Sequence, residues 1–158
     1  MFYDFFDTGL IGTLTLVGDD QGLRHINFET EKRPLAIQPD WRREPACFAT
    51  AKAQLAAYFA GERKTFDLPL APRGTPFQLR VWDVLKTIPF GKVTSYGWVA
   101  RQAGNPKAVR AVGGANARNP LPLVIPCHRV IGSNGSLTGF GGGLTVKQQL
   151  IDLEQASR

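Results

Sequence analysis

Between Gly113 and Gly143 the chain packs eight glycines and three prolines into 31 residues. Glycine lets backbone approach a ligand closely, and proline fixes the path of the chain. No long regular element suits that density, so the stretch is expected to fold as a shaped pocket. A disordered linker is the competing reading, but Leu121 to Ile131 is too apolar for it. At the centre, Leu121-Pro122-Leu123-Val124-Ile125-Pro126 closes on Cys127-His128-Arg129-Val130. Cysteine attacks as its thiolate, and the free thiol titrates near about 8.5, so reactivity at neutral pH needs a base or a cation. His128 is the candidate base, and Arg129 adds positive charge. Most lone cysteines are small core residues, and a Cys-His dipeptide alone is a weak signal. The glycine-rich surroundings are what mark this one.

At 158 residues and 43% hydrophobic, the chain can bury one core or two small ones. No stretch reaches the roughly 18 apolar residues of a membrane span, and the N-terminus lacks a signal pattern. Cys47 and Cys127 make no disulfide framework, so both are expected as reduced thiols in the cytoplasm. A zinc site from Cys47, Cys127, His25 and His128 fits no ligand spacing. No metal and no cofactor is expected.

The net charge of +6 is unevenly spread. Residues 1–70 carry eight Lys/Arg against ten Asp/Glu, and residues 71–158 carry eleven against three. The whole basic excess lies in the half that holds Cys127. A one-sided basic field attracts polyanions, nucleic acid first.

Residues 1–70 read as a small α/β domain and residues 71–158 as a mostly helical one, an α+β fold with an active-site loop. Strands are expected over Phe2–Phe6, Ile11–Val17 and Leu23–Phe28, with Gly18–Gly22 as a turn. A helix is expected from about Ala46 to Ala60, striped by Phe48, Leu55, Tyr58 and Phe59. Nothing in this half suggests catalysis. His25 reads as structural, and Cys47 as inert. Leu68–Gly74 is the expected linker. Thr75-Pro76 then opens a helix bearing Phe77, Val81, Val84 and Leu85. A second runs from Thr94-Ser95-Tyr96 to Gly104, and a third from Lys107 to the Gly113-Gly114 pair. Two short helices joined by Ala103-Gly104-Asn105-Pro106 match a helix-turn-helix, with Arg110 projecting from the slim second helix.

Several strings in the second half carry a resemblance. They are Ala103-Gly104-Asn105-Pro106-Lys107, Arg110-Ala111-Val112-Gly113-Gly114-Ala115-Asn116, Asn119-Pro120, Pro126-Cys127-His128-Arg129-Val130 and Gly142-Gly143-Leu144, with Lys147 and Glu154 beyond. Together they strongly resemble the 6-O-alkylguanine–DNA alkyltransferases. The first half is similar only in pattern, to a supporting domain that resembles ribonuclease H.

That resemblance implies direct reversal of damage in double-stranded DNA. The protein flips 6-O-alkylguanine, and also 4-O-alkylthymine, and transfers the alkyl group irreversibly to Cys127, once per molecule. His128 would take the Cys127 proton through a water, and Glu154 would hold the imidazole in its tautomer. Asn119 would brace the turn before the pocket. Arg110 would enter the stack, Tyr96 would crowd the adjoining phosphate, and Asn105 and Ser133 would add DNA contacts from the minor groove. Backbone carbonyls near Cys127 and Val130 would accept the guanine amino group, with Pro122 and Phe140 as pocket walls. Some relatives carry tyrosine in place of Phe140 and serine in place of Gly141, so Gly141 offers the leaving oxygen only its backbone N–H. Gly97 replaces a polar DNA contact of some relatives. The family's cysteine-rich zinc extension is lacking, so no transcription-activating role is implied. A monomer without membrane attachment is expected, with cooperative assembly on DNA left open. A lesion binder without transfer and a Cys-His hydrolase are the rival classes. Cys127 argues against the first, and the basic half against the second.

Overall fold

Strands form where apolar and polar residues alternate. In the computed structural model, which describes residues 1–158, β1 (Phe2–Asp7), β2 (Thr13–Asp19) and β3 (Gly22–Phe28) make an antiparallel meander. On β2, Leu14 and Leu16 are buried while Thr13 and Thr15 are half-exposed. A register shift between Val17 and Gly18 then lets Val17 bury beside Leu16. A fourth strand, β4 (Arg42–Arg43), lies parallel to β1 and completes the order β3-β2-β1-β4. Its two arginines carry no apolar periodicity, so it was not expected. The helix that follows starts as a 3-10 turn, Pro45–Phe48, and becomes α1 (Ala49–Phe59).

The segment read as a linker is bound to the sheet instead. Leu23 N–H donates to the Pro69 carbonyl (2.9 Å), and Ala71 N–H donates to the Leu23 carbonyl (2.8 Å). The Arg24 guanidinium adds a bond to the Ala71 carbonyl at 2.6 Å. Prolines that read as punctuation sit here where no ladder N–H is needed.

Beyond it, α2 (Pro76–Leu85) opens on a reciprocal cap between Thr75 and Gln78. The buried Trp82 indole N–H donates to the Ala115 carbonyl at 2.9 Å. The next helix, α3 (Tyr96–Gln102), starts after Ser95, whose hydroxyl accepts the Trp98 N–H. Gly104, at φ +88°, turns the chain toward α4 (Val109–Ala117). This helix begins two residues later than expected and runs through the Gly113-Gly114 pair. A Cβ at either glycine would meet open space. Burial of Val112, Ala115 and Asn116 on the opposite face supplies what glycine propensity lacks. Two strand pieces, β5 (Thr94–Ser95) and β6 (Val130–Ile131), pair in parallel, which no pattern announced. The chain ends in α5 (Leu144–Ser157).

One core of 26 buried residues runs from Ile11, in the turn between β1 and β2, to Leu150 on α5. Hydrogen bonds cross between the halves as well. Ile26 N–H donates to the Pro120 carbonyl (2.8 Å) and Lys32 N–H to the Gly141 carbonyl (3.1 Å). The Thr30 hydroxyl donates to the Gly142 carbonyl (2.5 Å). The sheet therefore sits directly behind the glycine-rich segment.

Gly22 tests the seam between sheet and linker. It stands at φ +141°, and a Cβ there would meet the Pro69 carbonyl oxygen at 2.5 Å. Gly22→Ala is expected to cost about 1–3 kcal/mol, read as a lower urea midpoint. An unchanged midpoint would show that Pro69–Ala71 is loosely held.

Candidate active site

The apolar run before Cys127 is a tight, buried loop. Leu123 is the one non-glycine residue with positive φ (+75°), a left-handed conformation that costs a branched side chain about 1–2 kcal/mol. Burial of Leu121, Leu123 and Ile125 holds it there. Asn119 pins both sides of the loop: its amide donates to the Ile125 carbonyl (2.7 Å), and its carbonyl oxygen accepts the Leu121 N–H (3.0 Å). Asn116 on α4 donates more weakly to the Cys127 carbonyl (3.4 Å).

Cys127–Arg129 is a 3-10 turn and not extended chain. Three residues per turn send successive side chains about 120° apart, so neighbours reach three different environments. Cys127 is 4% exposed and lines a cleft of about 290 Å³ together with Asn119, Pro122, Gly139, Phe140 and Gly141. His128 is fully buried. Arg129 turns away from the thiol.

The destination of His128 and Arg129 is Glu154, 1% exposed in the last turn of α5. Its Oε2 accepts from His128 Nε2 (2.7 Å), from Arg129 Nη2 (3.0 Å) and from the Tyr58 hydroxyl (2.6 Å). Its Oε1 accepts from Arg129 Nε (2.8 Å) and from the Gly91 N–H (3.4 Å). Arg129 also donates to the Ile88 carbonyl (2.6 Å) and lies over the Phe90 ring. Burial alone would raise the Glu154 pKa, but His128 and Arg129 hold it far below the usual carboxylate range. An ionised carboxylate only accepts, so His128 Nε2 carries the hydrogen and Nδ1 is left with its lone pair. Nδ1 is buried and has no hydrogen-bond partner within the protein. Burial lowers the His128 pKa against the pull of Glu154, which keeps the resting imidazole neutral.

The thiol is also neutral at rest. Burial pushes the Cys127 pKa up to about 11, with Asn119 and Lys147 opposing. Lys147, buried on α5, takes the electrostatic role expected of Arg129. Its own pKa is lowered by burial, and its Nζ donates to the Thr138 carbonyl at 3.4 Å.

The other anticipated residues fall into three groups. Pro122, Phe140 and Gly141 line the cleft with Cys127. Val130 does not: it is fully buried on β6, opposite Thr94. Arg110, Asn105 and Ser133 are exposed and do not line the cleft. Asn105 accepts the Lys107 N–H through its side chain (3.2 Å), shaping the turn before α4. Tyr96 is half-buried, and its hydroxyl shares a hydrogen with Thr138 Oγ1 (2.5 Å). Two participants come from the half that read as free of catalytic features, Tyr58 on α1 and Glu31 beyond β3. Tyr58 looked like one more apolar stripe residue, and the polar end of its ring was the only available signal. His25 also faces the cleft, with its pKa lowered by burial and by Arg24.

Fold and site together describe a two-part chain in which a buried cysteine lines a cleft and an exposed basic helix pair lies in the same half. Residues 1–72 match the 6-O-methylguanine DNA methyltransferase ribonuclease-like domain, and residues 76–156 match the DNA binding domain of the same family. A methylated-DNA–protein-cysteine methyltransferase of Methanosarcina acetivorans is 49% identical over 154 residues, 98% of each chain. The crystal structure of Mycobacterium tuberculosis OGT in complex with DNA superposes with a TM-score of 0.92 at 45% identity, covering 99% of this chain and 94% of that one. An O6-methylguanine-DNA methyltransferase from Pyrococcus kodakaraensis gives 0.65 at 25% identity, covering 97% and 98%. The chain belongs to the 6-O-methylguanine DNA methyltransferase family. It is thus a DNA-binding repair enzyme whose methyl acceptor is a protein cysteine.

Tyr58→Phe removes one donor from a buried carboxylate and little else. Hydrogen bonds to charged groups contribute about 1.5–3 kcal/mol, so thermal and urea stability should fall by that amount. Stability equal to wild type would mean that Glu154 is satisfied without α1.

Proposed function

We propose that Cys127 is the acceptor, and that the protein flips 6-O-alkylguanine, and 4-O-alkylthymine, out of duplex DNA to alkylate it. The reading rests on one observation above all, a buried thiol lining the cleft, followed in the chain by an imidazole that is bound to Glu154 through Nε2 and whose buried Nδ1 has no partner within the protein. The thiol proton passes through a water to His128 Nδ1. The sulfur–carbon bond forms as the carbon–oxygen bond breaks, with its electrons passing into the purine. The proton then reaches N1, and guanine leaves. Glu154 stabilises the transient imidazolium, which is how a positioned carboxylate serves an activated nucleophile. A thioether has no leaving group that water displaces readily, so each molecule acts once.

Exposed Arg101, Lys107, Arg110 and Arg118 surround α3 and α4, a surface suited to phosphates. In the proposed complex α4 enters the minor groove, where small residues allow approach and base identity is poorly encoded. Arg110 fills the vacated stack, and Tyr96, Asn105 and Ser133 contact the strand. Extrusion costs a few kcal/mol, which the Arg110 insertion partly offsets. Residues 71–158 carry this work, and residues 1–70 support it. The protein acts as a monomer in the cytoplasm. No helix is long and apolar enough to cross a membrane.

Mass spectrometry after incubation with a methylated duplex tests the acceptor. Wild type should gain one methyl on the peptide that holds Cys127. Cys127→Ser should bind duplex nearly as well and gain none; methyl on that variant, at Cys47 or elsewhere, would overturn the assignment.

Arg110→Ala should slow repair in duplex at least tenfold more than reaction with the free modified base, which needs no flipping, by about the few kcal/mol that extrusion costs. Equal losses on both substrates would place Arg110 in support of the cleft.

A further inference from the structure

The chemistry above leaves the carboxyl of Glu31 unused, although it stands in the same cleft as Cys127, Gly139 and Gly141. A Cβ built on Gly141 would fall on Glu31 Oε1. The carboxyl therefore occupies the volume that a side chain at position 141 would otherwise fill. The flanking backbone holds it there, through Lys32 N–H on the Gly141 carbonyl (3.1 Å) and the Thr30 hydroxyl on the Gly142 carbonyl (2.5 Å). Glu31 is half-buried, and burial raises its pKa against the nearby Phe28 backbone. The ion pairs of the protein lie elsewhere, at Asp4, Asp19, Asp83 and Glu154. A partly buried carboxyl without a cationic partner is costly unless something binds it.

Resting on the function proposed above, we propose that the leaving 6-oxygen enters the cleft beside Gly141 and Glu31, and that protonated Glu31 donates a hydrogen bond to it alongside the Gly141 backbone N–H. Glu31 keeps its proton throughout. The sulfur–carbon bond forms, the carbon–oxygen electrons enter the purine, and the proton that reaches N1 is the one Cys127 gave up through His128. The hydrogen bond strengthens as the oxygen gains charge, so it stabilises the transition state more than the bound substrate. An ionised Glu31 opposes that charge, and its field also disfavours the Cys127 thiolate. The reaction therefore selects the protonated carboxyl. The titratable and charged groups around it are Cys127 across the cleft, His25 and Arg33 in the walls, Lys32 and Arg118 at the outer rim, and Lys147 near the thiol.

The test measures single-turnover methyl transfer from a 6-O-methylguanine duplex between about pH 4.5 and pH 9. Wild type, Glu31→Ala, Glu31→Gln and Glu31→Ala/Gly141→Ser are compared, and iodoacetamide alkylation of Cys127 is followed by peptide mapping. Glu31→Ala should transfer on the order of tenfold more slowly or worse, while iodoacetamide reacts as fast or faster, because the carboxyl whose ionised form disfavours the thiolate has gone. Glu31→Gln donates at any pH, so it should match wild type in acid and outpace it increasingly as pH rises through the Glu31 pKa. Serine at 141, in space vacated by the alanine, should recover part of the rate. Wild-type transfer by Glu31→Ala, parallel loss of iodoacetamide reactivity, a Gln-to-wild-type ratio flat with pH, or no recovery by the double variant would each overturn the inference alone. A wild type that leaves Cys127 unmethylated would overturn the function and this inference with it.

Discussion

A single ionised carboxylate, buried at Glu154, is the interaction on which the site depends. It sits in the last turn of α5, where the helix dipole opposes a negative charge. It is stable there because Tyr58, His128, Arg129 and the Gly91 amide all donate to it. Those donors come from α1, the turn after α2, and the turn that holds Cys127. One carboxylate thus joins both halves of the chain and sets the tautomer of the base. Breaking a buried ion pair by removing one partner typically costs about 3–5 kcal/mol, because the other charge is left uncompensated. Damage at Glu154 is therefore expected to reach folding and chemistry together.

The thiol and imidazole that this network supports are both neutral at rest. A buried thiol with a raised pKa is a poor nucleophile toward casual electrophiles, which protects it until a substrate is bound. In the proposed mechanism, charge separates only when a reacting group fills the cleft. Lys147, held in the core behind the thiol, lowers the cost of that separation, and Asn119 does the same through a hydrogen bond. The nucleophile is protected by the same burial that makes it slow.

Local signals made the strands, the Thr75 cap and the Pro-Cys-His-Arg centre legible in the sequence. Period-two alternation marked β1 to β3, and the threonine-proline start marked α2. What escaped was nonlocal or carried by very short elements. Two-residue strands have no periodicity, and Leu68–Gly74 read as a linker because a backbone ladder leaves no side-chain pattern. Gly113-Gly114 read as a helix stop because packing against α2 and α3 cannot be inferred from propensity. Arg129 was assigned to the thiol on adjacency alone, whereas a 3-10 turn points neighbours apart. Tyr58, Glu31 and Lys147 reach the site from 69, 96 and 20 residues away along the chain. No spacing rule connects such positions; only the packing of the sheet, α1 and α5 around the loop does so.

A carbon-13 NMR titration of cysteine-labelled Cys47→Ser protein, which leaves Cys127 as the one labelled thiol, tests the resting state of the site most directly. The Cys127 Cβ resonance should keep its thiol position through neutral pH and titrate only near about 11. His128, followed by nitrogen-15 in the same sample, should stay neutral with the hydrogen on Nε2 and become protonated only below its usual range. A thiol that titrates at or below neutrality, or an imidazolium at pH 7, would contradict a neutral pair held by Glu154.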